Sequence, residues 1–131
     1  MATHAGKPFS LRARARSFVH AGAGLAYTLA SQHNARIHAA ATLAVVAAGV
    51  GFGVSRIEWC WLVAAIAWVW TAEAFNTALE SLADAAKPEP HPLVGRAKDA
   101  AAGAVLAASI GAAAIGLIVL GPHFLALLHR T

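Results

Sequence analysis

Acidic side chains are scarce and come late in this sequence: six in 131 residues, none of them before Glu58. All charged residues together make up 12%, where a soluble domain carries roughly a quarter. With 59% apolar residues and so short a chain, a water-soluble core would leave too much apolar surface uncovered, which excludes an ordinary soluble globule and points to one small membrane domain. The single cysteine, Cys60, rules out an intrachain disulfide framework and says nothing of the compartment; it is expected to be a packing residue. The shortage of acid also leaves Lys7, Arg12, Arg14, Arg16 and Arg36 unopposed in a chain of net charge +4. A basic arm joined to apolar spans meets anionic lipid head groups. No aromatic-interleaved basic patch or recognised binding motif accompanies the arginines, so nucleic acid is not an expected partner.

Long apolar runs are what the chain does have. "IHAAATLAVVAAGVGFGV", Ile37 to Val54, lacks Asp, Glu, Lys and Arg throughout and underlies a first span at 36–54. "WCWLVAAIAWVWTA" stays apolar until it meets Glu73, although the helical pattern has no breaker before Pro88, so a second span at 57–86 outlasts its apolar portion. Ala100 to Gly121, a stretch without formal charge and long enough to cross the hydrocarbon, supplies a third span at 97–121. Gly103, Ala107 and Gly111 recur there every fourth residue beside Ala100, Ala104 and Ala108; close helix packing and plain abundance of alanine both account for them. No repeat or long linker interrupts this order, and 1–131 reads as a single membrane domain.

Lys and Arg divide five before the first span, one between first and second, three between second and third, and one, Arg130, after the third. The positive-inside rule then places the amino terminus and the 85–99 loop in the cytoplasm and the carboxyl terminus outside. The opening "LRARARSFVHAGAGLAYTLAS" has the basic start of a signal peptide, but His20 and several glycines dilute its apolar part and no good cleavage pattern follows; an organelle presequence is likewise not the expected reading. As a helix over 9–31 it gathers Leu11, Phe18, Gly22, Leu25 and Leu29 near one side with Arg12 and Arg16 one turn apart, an amphipathic helix lying in the membrane interface. The expected class is therefore an all-α membrane protein with an interfacial helix and three transmembrane helices.

The second span ends in "EAFNTALESLAD". At about 100° per residue, Glu73, Asn76, Glu80 and Asp84 fall on one stripe, joined by Thr77. If Glu58 marks the outer boundary, Glu73 lies about 22 Å further along and Glu80 about 33 Å, against a hydrocarbon core of roughly 30 Å. Glu80 and Asp84 suit the solvated end of a helix, whereas Glu73 at membrane depth needs a neighbouring helix, water or a cation. "GRAKDAAAG" brings Arg96, Lys98 and Asp99 to the same interface. A divalent metal on carboxylate oxygens with a lysine for phosphate accounts for this convergence, and so does simple charge pairing between helix ends.

"EAFNTALESLAD" followed by "HPLVGRAKDAAAGAVL", with "NARIHAA" opening the first span, resembles the small prokaryotic integral-membrane diacylglycerol and undecaprenol kinases over nearly the whole chain. The sequence has neither the Gly-rich loop with GK[ST] nor the catalytic loop of soluble kinases. The resemblance implies a homotrimer in the bacterial cytoplasmic (inner) membrane that transfers the γ-phosphate of MgATP to the hydroxyl of a membrane lipid, undecaprenol or diacylglycerol, in lipid carrier or phospholipid recycling. By position it makes Glu73 the base and Glu80 a magnesium ligand that also meets the nucleotide. It places Lys98 and Asp99 at the nucleotide phosphates, Asp84 beside them in a less defined part, and Asn76 and Arg96 as polar groups holding substrate or site together. Where some members carry a glutamate that reaches the metal, this chain has Gln32, an amide and a poorer magnesium ligand, with Asn34 and His38 able to rearrange the local contacts. His38, one residue inside a span, is expected to hydrogen-bond a neighbouring helix or to touch phosphate. The "HPL" and "AAAGAVL" stretches favour the undecaprenol branch. The reading from another class is a non-catalytic small membrane oligomer that conducts protons or cations along the carboxylate seam.

Overall fold

The computed structural model describes residues 10–129, so Lys7, the first residue of the 9–31 segment and Arg130 lie outside the described residues. Four helices follow one another, α1 Leu11–Ser31, α2 His33–Phe52, α3 Arg56–Ala86 and α4 Pro92–Leu128, and no strand occurs among the described residues. The last three are long and apolar enough to cross a membrane. Their backbone groups are satisfied within each helix, the condition for spanning hydrocarbon.

Local chemistry sets each boundary. Ser10 caps α1, its hydroxyl accepting from the Ala13 N–H at 3.4 Å. A single extended residue, Gln32 (φ −106°, ψ 126°), separates α1 from α2, and its N–H still closes the last turn of α1 on the Thr28 carbonyl. Arg36 reaches back across this break, donating to the carbonyls of Ala30 (2.7 Å) and Leu29 (3.5 Å) that the helix end leaves unpaired. At the other end α2 stops on Gly53, whose φ of +65° is left-handed and free of Cβ strain only for glycine. Ser55 and Glu58 then start α3 with a reciprocal capping box, Ser55 N–H to Glu58 Oε2 at 2.7 Å and Glu58 N–H to Ser55 Oγ at 3.3 Å.

α4 extends past both ends of the 97–121 stretch. His91 caps it by accepting from the Leu93 N–H and Pro92 occupies the first turn, where a missing N–H costs nothing, while Pro122 lies inside the helix without ending it. α3 and α4 pack along their length, and α2 touches α3 more than α4. The tightest apolar packing is at the Glu58 end, where Val54, Leu62, Val119 and Leu120 are buried with Phe52 and Trp59 against them. There His123 Nε2 lies 2.9 Å from Glu58 Oε1 and the His123 ring stacks on Phe52 at 5.6 Å. At mid-depth Trp70 Nε1 donates to Thr42 Oγ1 at 3.1 Å, tying α3 to α2.

One packing expectation changes, and one question left open by the sequence is narrowed. Cys60 is exposed, on the α3 face turned away from its neighbours, rather than packed within the chain. A Cβ added to Gly103 or Gly111 would meet nothing within 4 Å although Ala108 is buried, so the glycines of that small-residue surface are not used inside one chain. α1 carries Leu11, Phe18 and Leu25 exposed along one side.

Candidate active site

The polar stripe of α3 turns inward at the end away from Glu58. Glu73 is 1% exposed, Asn76 6% and Thr77 2%, whereas Asp84, three turns beyond Glu73, is 70% exposed. The same periodicity that aligned these residues in sequence therefore carries the stripe from a buried carboxylate to a solvated one. Thr77 is spent locally, its hydroxyl donating to the Glu73 carbonyl at 2.9 Å.

Opposite the stripe stands the start of α2. Gln32 makes no side-chain cap, so the first-turn amides of α2 stay available, and Ala35 of that turn, 0% exposed, lies beside the Glu73 carboxylate. Glu73 Oε2 has no hydrogen-bond partner among the described residues, and His38 Nε2 lies 3.9 Å from it. Glu80 is held on both oxygens by amides: Gln32 Nε2 donates to Oε2 at 2.8 Å and Asn76 Nδ2 to Oε1 at 3.2 Å. Since an ionised carboxylate only accepts, both amides present nitrogen to Glu80 and turn their carbonyls elsewhere. The Asn76 Oδ1 is buried without a partner as a result. Gln32, Asn34, His38, Asn76 and Glu80, with Ser109 of α4, line a polar cavity of about 270 Å³.

One turn beyond, Lys98 Nζ meets Asp84 Oδ1 at 2.7 Å, the two side chains 34% and 70% exposed. They border a second cavity of about 590 Å³ formed with the 87–92 loop, including Lys87, Glu89 and His91. The cation and acids of the two helices thus converge, but not all of them. Arg96 and Asp99 are exposed and have no hydrogen bond or ion pair among the described residues, so a single chain brings Lys98 to the stripe and leaves these two facing away. A helix beginning at Pro92 fixes that outcome, since consecutive residues such as Lys98 and Asp99 are turned about 100° from each other.

Among the described residues no three His, Cys, Asp or Glu side chains converge as a ready metal cage. The donor set nevertheless suits magnesium, which takes one or two carboxylates and completes its shell with water and phosphate. Glu80 and the carbonyl of Gln32 are hard oxygen donors on the wall of a polar cavity, and the orphaned Asn76 oxygen marks that wall as made for a polar guest. Two contacts carry no signal in the sequence: the Gln32 amide on Glu80 and the Arg36 grip on α1. Both depend on the chain folding back at residue 32.

Three helices long and apolar enough to cross a membrane, with a buried carboxylate on one of them and a polar cavity nearby lined by His38, Asn76 and Glu80, define a multi-pass membrane protein. The chain belongs to the prokaryotic diacylglycerol kinase family, whose model matches residues 19–120. It is 40% identical over 107 residues to an undecaprenol kinase of Bacillus subtilis (strain 168), covering 82% of this chain and 87% of that one. It is also 40% identical over 113 residues to a diacylglycerol kinase of a Synechocystis species, covering 86% of this chain and 65% of that one. The protein is a lipid kinase with a nucleotide co-substrate, and conduction of ions by a non-catalytic oligomer is not favoured.

Proposed function

We propose that this protein transfers the γ-phosphate of MgATP to the hydroxyl of a membrane lipid, with undecaprenol preferred over diacylglycerol. The observation that carries the reading is Glu73, a carboxylate 1% exposed within a candidate membrane span, with one oxygen unpartnered and His38, which lines the polar cavity, 3.9 Å from it. A buried charge of that kind persists where it has work to do. Its free oxygen is the atom that would accept the proton of a lipid alcohol. Glu80 and Gln32 would hold magnesium, whose bound charge neutralises the phosphates in transfer. Lys98, held by Asp84, would orient the nucleotide phosphates, and Asp99, turned away within one chain, would meet the nucleotide from another side. Asn76 would fix Glu80, and Arg96 would lie at the rim toward lipid or a second subunit. The preference for undecaprenol is supported by the fuller match to the undecaprenol kinase, 87% of its length against 65% of the diacylglycerol kinase.

The same reading includes a homotrimer in the bacterial inner membrane, amino terminus and 85–99 loop in the cytoplasm, carboxyl terminus outside, and α1 on anionic head groups. Its support is the distribution of Lys and Arg, the exposed apolar side of α1, and the uncovered glycines of α4. The decisive experiment incubates purified protein with labelled ATP, magnesium and each lipid in turn. Phosphorylated undecaprenol is expected as the main product and its loss in Glu73→Gln. Equal rates on both lipids defeat the preference, and a fully active Glu73→Gln defeats the base.

A further inference from the structure

We propose that His38 relays the proton that phosphoryl transfer deposits on Glu73, making it a second proton-handling group of the reaction rather than a packing residue of α2. The inference rests on Glu73 acting as the base. When the lipid O–H breaks and its oxygen bonds to phosphorus, ADP leaves and the proton stays on Glu73 Oε2. A carboxyl 1% exposed has no direct route to water, yet the base must be free again before the next turnover. His38 Nε2, at 3.9 Å, is the titratable group the described residues bring within ion-pair range of that oxygen. The Lys98 ammonium is occupied by Asp84.

The position of His38 is distinctive. An apolar groove of about 560 Å³ runs along α2, α3 and α4 from His38 to Phe124, and the polar cavity holding Glu80 opens at its other side. His38 and Ser109 are the two residues that line both. Ser109 is turned back on its own helix, donating to the Val105 carbonyl at 2.8 Å, which leaves the imidazole as the polar group at the junction. A lipid alcohol whose chain lies in apolar surroundings would meet Glu73 beside this ring, and a proton leaving Glu73 would pass through it toward the polar cavity. At 3.9 Å the pair is too far apart for a direct hydrogen bond, so transfer takes a small closing movement or one bridging water. An imidazole has two ring nitrogens, so it can take a proton on one and give one up from the other. The groups around it are Glu73 and Glu80 on α3, Asn34 on α2 and the neutral Ser109 on α4.

The test measures lipid phosphorylation by His38→Ala and His38→Asn in the purified full chain with MgATP and the active lipid. Both are expected to lower kcat at least tenfold with KM for MgATP and lipid within twofold. Added imidazole is expected to restore His38→Ala, with the rescued rate following the pKa of the imidazole across a substituted series, a dependence that a merely structural residue would not show. If His38→Ala does not stay monodisperse in detergent, His38→Asn decides. Activity of His38→Asn within twofold of the wild type, or an imidazole rescue independent of pKa, overturns the relay. An inactive Glu73→Gln beside a fully active His38→Asn defeats the relay alone; an active Glu73→Gln defeats the base and the relay together.

Discussion

Gln32→Glu exchanges a donor for a second anion at the elbow between α1 and α2, where its side chain meets Glu80 of α3. The wild-type amide donates to Glu80 Oε2 at 2.8 Å, a hydrogen bond to a charged acceptor that contributes roughly 1.5–3 kcal/mol. In the variant that bond is lost and two carboxylates face each other. Unit charges about 4 Å apart in an effective dielectric near 20 repel by about 4 kcal/mol. Both side chains are part-buried on the wall of the polar cavity, so the new carboxylate can rotate toward solvent and screen much of this, leaving an expected net loss of about 2–3 kcal/mol. On the proposed reading magnesium would offset this loss, because the added acid would improve the metal site. Metal at about 100 times its dissociation constant returns about 2.7 kcal/mol. The expected outcome, followed by the intrinsic fluorescence of the four tryptophans during heating at pH 8, is a variant less stable than wild type in chelator and raised by magnesium more than wild type is. A variant equal to wild type in chelator would refute the Gln32–Glu80 contact, and one no more responsive to magnesium would refute the proposed metal site.

Other consequences follow from single contacts. A Cβ on Gly49 would stand 2.8 Å from Trp59 Cη2, so Gly49→Ala should destabilise by about 1–3 kcal/mol from overpacking despite a helix-propensity gain of about 1 kcal/mol; on a Trp59→Leu background the same change should become neutral or stabilising in a thermal melt. Trp70→Phe removes the donor to Thr42 and should cost about 0.6–2 kcal/mol in a denaturation titration, with Thr42→Val on top adding little. Lys98→Ala should raise KM for MgATP at least tenfold while the melting temperature scarcely moves, since its partner Asp84 is 70% exposed.

Much of the site's alignment was legible before any fold was known. Glu73, Asn76 and Glu80 lie on one side of a helix because of backbone periodicity alone, and the burial of Glu73 with the exposure of Asp84 follows the depth order that the constant rise of a helix imposes. What faces the stripe was not legible. Gln32 appeared in sequence only as a weakened metal ligand; that its amide nitrogen also donates to Glu80 could be seen only in the fold. Arg36 counted only as a positive charge and proves to be the brace of the α1–α2 elbow. Arg96, Lys98 and Asp99 stood together as a cluster, yet one helical step separates the lysine that reaches Asp84 from neighbours that do not.

The sequence by itself determined the solvent, the number of apolar helices and the face on which the acids stand, because hydrophobic run length and the helical repeat are local properties of the chain. Only the tertiary structure decided the partners of those acids: the amide of Ala35 and the imidazole of His38 beside Glu73, and the two side-chain amides on Glu80. Apart from Asn76, those partners belong to α2 and its elbow and meet α3 from tens of positions away. Such pairings depend on how three rods cross, a choice made by packing and by the single extended residue between α1 and α2 rather than by any pattern within one helix.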